Sequence, residues 1–217
     1  MRIALLCFFI PILCTCGRAP LTTEMATVVG TVRYEEPRRL LTTAFNITPA
    51  DSLENAPVPT LFASPLARQP LAGPGRFQDR RTVAAPDSLR GTLPLPGNPQ
   101  HPFAVAFPAV AIDSLPARHQ RSAPLVFPVG KRALSEQESL VLFFEPNDHG
   151  TPHRIQLLGP TSSPTLSVPA KTLETVPAGV YQVYLVRQGL HKDSTALLRL
   201  SVQTEFFTRS APLELWD

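Results

Sequence analysis

An all-β fold follows from the proline content, from where proline is absent, and from the alternation of the residues found there. Of the 217 residues, 25 are proline and 11 are glycine, so about one residue in nine lacks a backbone N–H. A proline inside a helix costs about 3 kcal/mol. The longest proline-free stretch, Ala178–Ala211, alternates apolar and polar residues instead of repeating at helical spacing. A helical bundle, a coiled coil and a βαβ nucleotide fold are excluded. The chain is 43% apolar and 17% charged, too apolar for wholesale disorder. Twenty basic against 17 acidic residues leave a formal charge of +3, too balanced for a nucleic-acid footprint.

Four segments are expected. Residues 1–16 read as a secretory signal, 17–24 as a tether, 25–129 as a proline-rich, irregular β region, and 130–217 as a more regular β region. Fourteen prolines lie between Pro57 and Pro128 and only seven after Val129, which places the seam near Gly130-Lys131-Arg132. In the first region Ala26–Tyr34 alternates as a strand, whereas Arg38–Thr43 and Asn46–Asn55 carry no clear pattern. Thr60–Leu66 is a short apolar strand. Arg68–Arg90, with Gly73-Pro74-Gly75 and Asp79-Arg80-Arg81, reads as a loop. His101–Asp113 places Phe103, Val105 and Phe107 on one face, and Pro108 confines it to an edge or splits it. Leu125–Val129 is a closing strand.

The second region has sharper signals. Ser139–Glu145 is apolar on both faces, as a central strand is. Pro146–Gly150 is a turn, and Arg154–Leu158 and Thr165–Val168 are short strands flanking the Gly159–Pro164 turn. Ala170–Val176 forms a helical turn. Val180–Arg187 alternates Tyr181, Val183 and Leu185 against Tyr184 and Val186, then a polar loop, Gln188–Asp193, leads to a strand over Thr195–Phe206. Short strands at this spacing with proline turns predict a β-sandwich.

Thr165–Val168, the helical turn and Pro177–Val183 resemble the E–F corner of immunoglobulin-like domains over about Leu134–Leu215. The resemblance implies that Tyr181 is a corner tyrosine whose hydroxyl bonds to upstream backbone, with Val183 in the core. Both cysteines of that family, and a tryptophan on the third strand, are missing. The pattern speaks to the sandwich, not to a ligand.

At the N-terminus, Met1-Arg2 supplies a positive charge and Ile3–Leu13 an uncharged apolar run. As a helix, Ile3–Cys16 would reach only about 21 Å, short of a roughly 30 Å hydrocarbon core. Cys7, Cys14 and Cys16 are the only cysteines, so no disulfide framework holds the exported part. Leu13-Cys14-Thr15-Cys16 followed by Gly17 resembles a bacterial lipobox, which implies Cys16 as the lipid-attachment residue. Cys14 and Thr15 depart from the small residues that family prefers. Cys14 is the poorer anchor, because Leu13 would then sit at the cleavage position. The alternative is an ordinary signal peptide cut near Thr15–Ala19.

No catalytic motif emerges. Asp148, His149 and His153 form the densest polar cluster, but Gly150 and Pro152 forbid the helix that would bring the histidines onto one face. His101, His119 and His191 fall in predicted loops. Glu35-Glu36, Glu136/Glu138 and Asp113 are expected at solvated strand ends. There is no Gly-x-Ser-x-Gly elbow and no phosphate-binding loop. The basic doublets Arg38-Arg39 and Arg80-Arg81 are too few for a polyanion or charged-lipid patch. Phe206-Phe207 are expected to end a strand, one inward and one outward, with Trp216 capping the sandwich.

Together these features resemble the small cell-envelope lipoproteins of Gram-negative bacteria. The resemblance implies attachment to a membrane, facing the periplasm or cell surface, and a non-enzymatic binding or scaffolding role without a cofactor. An envelope protein or a glycan is the further partner it implies. The alternative function is an envelope hydrolase or carbohydrate-active protein with its site in the proline-rich loops.

Overall fold

The computed structural model of the protein describes residues 25–48, 57–69, 73, 75–95, 98–107, 109–148 and 150–217. Its elements are almost all strands. In β1 (Ala26–Glu35) Val28, Val32 and Tyr34 are buried, while Thr27, Val29 and Arg33 face out, the period-two reading of the sequence. A 3-10 turn, Glu36–Arg38, opened by Pro37, reverses the chain into β2 (Leu40–Thr48), which buries Leu41, Thr43, Phe45 and Ile47. Arg39 closes that turn in the left-handed region, at φ 49°.

The stretch expected as a loop, Arg68–Arg90, is strand over much of its described residues. It contains β6 (Arg76–Thr82) and the start of β7 (Ser88–Leu95), and short β5 (Ala67–Arg68) pairs with β6. The charges misled the reading, because Asp79 and Arg81 share the inward phase of β6 with buried Phe77. They tolerate it by forming an ion pair, and Arg81 also donates to the Leu61 carbonyl at 3.2 Å. The expected strand Thr60–Leu66 is instead a miniature hairpin, β3 (Thr60–Leu61) and β4 (Ser64–Pro65). Phe62 and Ala63, both at positive φ, form its turn. β8 (Asn98–Ala106) pairs with β7, and Phe103, Val105 and Phe107 are buried as their spacing predicted. Pro108 lies outside the described residues.

The remaining elements are β9 (Arg118–Gln120), β10 (Leu125–Pro128), β11 (Glu138–Pro146), β12 (His153–Leu158), β13 (Thr165–Val168), α1 (Ala170–Leu173), β14 (Gly179–Ser194), β15 (Leu198–Phe207) and β16 (Ala211–Trp216). Gln188–Asp193 is not a loop. β14 runs through it because β15 supplies an antiparallel partner from Val186 to Ser194.

The large sheet has the strand order β12-β11-β14-β15-β1-β2-β6-β5, with β16 beside the first part of β14 and β9 outside β16. Its pairings are antiparallel except β1 with β15 and β9 with β16. Hydrogen bonding crosses the position of the expected seam at Gly130 three times, in the pairs β1–β15, β10–β13 and β9–β16. A four-stranded sheet, β4-β3-β7-β8, and the pair β10–β13 contribute to the same buried core as the large sheet. Two aromatic contacts join the layers. Phe45 meets Phe103 edge-on with centroids 5.9 Å apart, and Phe107 lies 6.0 Å from Phe206.

Glycine is required at the first of these contacts. Phe45 lies opposite Gly30 on the neighbouring strand, and a Cβ on Gly30 would fall 2.4 Å from the Phe45 ring. Gly30→Ala must displace that ring from Phe103, at a cost of about 1–3 kcal/mol, readable as a lower urea midpoint. Tyr181 gives a gentler test. Tyr181 is buried and donates its hydroxyl to the Pro177 carbonyl at 2.8 Å. Tyr181→Phe keeps the ring, leaves that carbonyl unpaired, and should lower unfolding free energy by about 1–2 kcal/mol with an unchanged m-value.

Candidate functional site

The predicted site residues fall in three places. Cys16, with Cys7 and Cys14, lies outside the described residues, as does His149. The rest of the Asp148/His153 cluster forms a turn pocket between the start of β12 and the corner before β14. Its lining includes Pro146, Asp148, Thr151, His153, Pro177 and Tyr181, around a space of about 380 Å³. Asp148 Oδ1 accepts the Gly150 N–H at 3.1 Å, a local turn bond. His153 is half-buried at the first position of β12. Among the described residues no group of three or more histidine, cysteine, aspartate or glutamate side chains could hold a metal ion.

The remaining candidates are dispersed. Glu35 pairs with Arg33 at 3.1 Å and with Arg38 at 3.3 Å. Glu36 accepts the Arg209 N–H at 2.9 Å, and Asp113 pairs with the Arg209 side chain. His119 contacts the Ala123 carbonyl at 3.0 Å on β9, while His101 and His191 lie on β8 and β14. Phe206 points into the core and Phe207 outward, with the Arg33 guanidinium 4.0 Å above its ring. Trp216 is 43% exposed at the end of β16.

The sequence reading missed the most deeply placed charged group. Glu138 and Arg187 are 7% and 2% exposed at their side chains. Their strand phases explain why. Glu138 shares the inward face of β11 with Leu140, Leu142 and Phe144, and Arg187 shares that of β14 with Tyr181, Val183 and Leu185. Leu140 lies opposite Arg187 and Gly189 opposite Glu138, so the two charges are diagonal neighbours. Glu138 accepts from Arg187 Nη2 at 2.8 Å, from the Ser135 N–H at 2.9 Å, and from both terminal nitrogens of Arg132 at 2.9 and 2.6 Å. Arg187 also donates to the Ala133 carbonyl at 2.9 Å, while its Nε is buried with no partner. Extending the period-two phase two residues past Leu185, and two before Leu140, would have found the pair.

Burial raises the Glu138 pKa, but the Arg187, Ser135 and Arg132 interactions outweigh it, and the carboxyl titrates below its ordinary range. Burial also lowers the Arg187 pKa, and Glu138 opposes that shift. The chemistry is that of a clasp. Both carboxylate oxygens are engaged, so no free acid or base is presented, and the loop Arg132–Ser135 is pinned to the sheet.

No protein-family model matches the sequence, and no curated protein matches it significantly.

The clasp makes stability depend on pH. A carboxyl whose pKa is depressed on folding stabilises the fold above its unfolded value, about 4.3. That contribution is lost as pH falls through the lower, folded value. Resistance to urea unfolding should fall as pH drops from about 5 towards 3, and Glu138→Gln should flatten that slope. At neutral pH the same variant leaves Arg187 buried without its counter-charge and should cost about 3–5 kcal/mol.

Proposed function

We propose that the protein is an exported lipoprotein of the bacterial cell envelope, acylated at Cys16, that acts as a non-enzymatic binding or scaffolding module. The observation that carries this reading is the segment Leu13-Cys14-Thr15-Cys16-Gly17 directly after the apolar run Ile3–Leu13. Nine residues separate Cys16 from Ala26, where β1 begins. Fully extended, they reach about 30 Å, ample spacing between a membrane surface and the folded part. Several acyl chains contribute about 0.8 kcal/mol per buried CH₂, so the anchor needs no second membrane-binding surface.

The immunoglobulin-like part of the proposal covers about Leu134–Leu215. The helical turn α1 after β13 and the bond of the Tyr181 hydroxyl to the Pro177 carbonyl support it.

The intact mass of the protein from its native envelope tests the proposal. A chain beginning at Cys16 and carrying acyl groups, both lost in Cys16→Ser, is expected. An unmodified chain beginning beyond Cys16, or an unprocessed one, would contradict it.

A further inference from the structure

β12 is the outermost strand of the large sheet at one end and hydrogen-bonds only to β11. The ladder fixes which of its backbone groups are used. The Gly159 N–H donates to the Glu138 carbonyl, and in an antiparallel pair bonded positions alternate. Leu157, Ile155 and His153 therefore bond to β11, whereas the N–H and C=O groups of Arg154, Gln156 and Leu158 point away from it. Other long edges are blunted. β8 carries Pro102, and β16 is covered by β9. Among the described residues β12 is the longest proline-free strand with one edge wholly unpaired. It also carries Leu158, at 70% the most exposed large apolar side chain described.

We infer that β12 is an interaction surface for a second copy of this chain, which pairs with it antiparallel about a two-fold axis through Gln156. The sequence of the edge is compatible with itself in that register. Gln156 faces its own copy, Arg154 faces Leu158, and on the inner face Ile155 faces Leu157. Ile155 is buried and Leu157 packs against the core, so apolar side chains meet apolar ones where the two inner faces join. On the outer face the arginine stem lies against the exposed leucine, and no like charges oppose each other. An axis through Arg154 would set arginine against arginine. The outcome is a continuous sheet across two molecules, with both free edges satisfied.

The test is the mass of the full chain in detergent by analytical ultracentrifugation, for the unaltered protein and two variants. The unaltered protein is expected at the mass of two chains. Leu158→Lys sets lysine against the second copy's Arg154 twice and should give one chain. Adding Arg154→Glu to Leu158→Lys sets opposite charges face to face and should restore two chains. A structural defect at Leu158 would not be repaired by that second change, so the rescue separates register from folding. A monomeric unaltered protein, whatever else its edge binds, overturns the inference. So does a Leu158→Lys variant that stays dimeric, or a double variant that stays monomeric.

Discussion

The change of partner along β14 is the constraint on which the rest of the architecture depends. One edge of this strand carries β11 from Tyr181 to Gly189. The other carries β16 over Gly179–Val183 and then β15 from Val186 to Ser194. Between those two ladders Leu185 would be left with an unpaired amide in a buried position. Thr208, buried in the link from β15 to β16, closes the gap. Its Oγ1 accepts the Leu185 N–H at 2.9 Å, and its own N–H donates to the Leu185 carbonyl at 3.0 Å. With that repair the chain can send β15 on to β1 and return β16 to the corner. The two halves of the sequence thereby share one sheet.

The Glu138–Arg187–Arg132 clasp lies just past this change of partner, on an inner face of the sheet that is otherwise mostly apolar. A buried ion pair is a weak source of stability, because desolvating both charges offsets much of their attraction. Its effect here is positional. The guanidinium of Arg187 reaches both the Glu138 carboxylate and the Ala133 carbonyl. Gly189, opposite Glu138, instead serves the contact with β15, since a Cβ there would press within 2.8 Å of Thr204 Oγ1. The clasp fixes the loop entering β11, and with it the registers of β11 against β12 and β14.

Much of the strand inventory was legible in the residues. Alternation gave β1, the first half of β14 and most of β15, and the inward phase of Phe103, Val105 and Phe107, while a run apolar on both faces gave β11. The backbone bond of the Tyr181 hydroxyl and the burial of Val183 were expected from a resemblance carried by Thr165–Val168, the helical turn and Pro177–Val183. Two kinds of feature were hidden. Where charges occupy inward positions, as Asp79 and Arg81 do in β6 and Glu138 and Arg187 do in β11 and β14, polarity imitates a loop or a strand end. Pairing between distant segments was hidden too. No local pattern says that Thr27–Glu35 will run parallel to Arg199–Phe207. Of the candidate site, the Asp148/His153 turn was visible as composition. The clasp was visible only as phase, and only to a reading that followed both strands beyond their apolar stretches.

The shared sheet is the central claim, and native-state hydrogen exchange of the full chain under increasing denaturant tests it most directly. If the ladders from β11 to β2 form one unit, the amides of Val28–Tyr34 and those of Leu140–Phe144 lose protection in the same opening, with the same denaturant dependence. Exchange of Val28–Tyr34 through a lower-energy opening that leaves Leu140–Phe144 protected would contradict it.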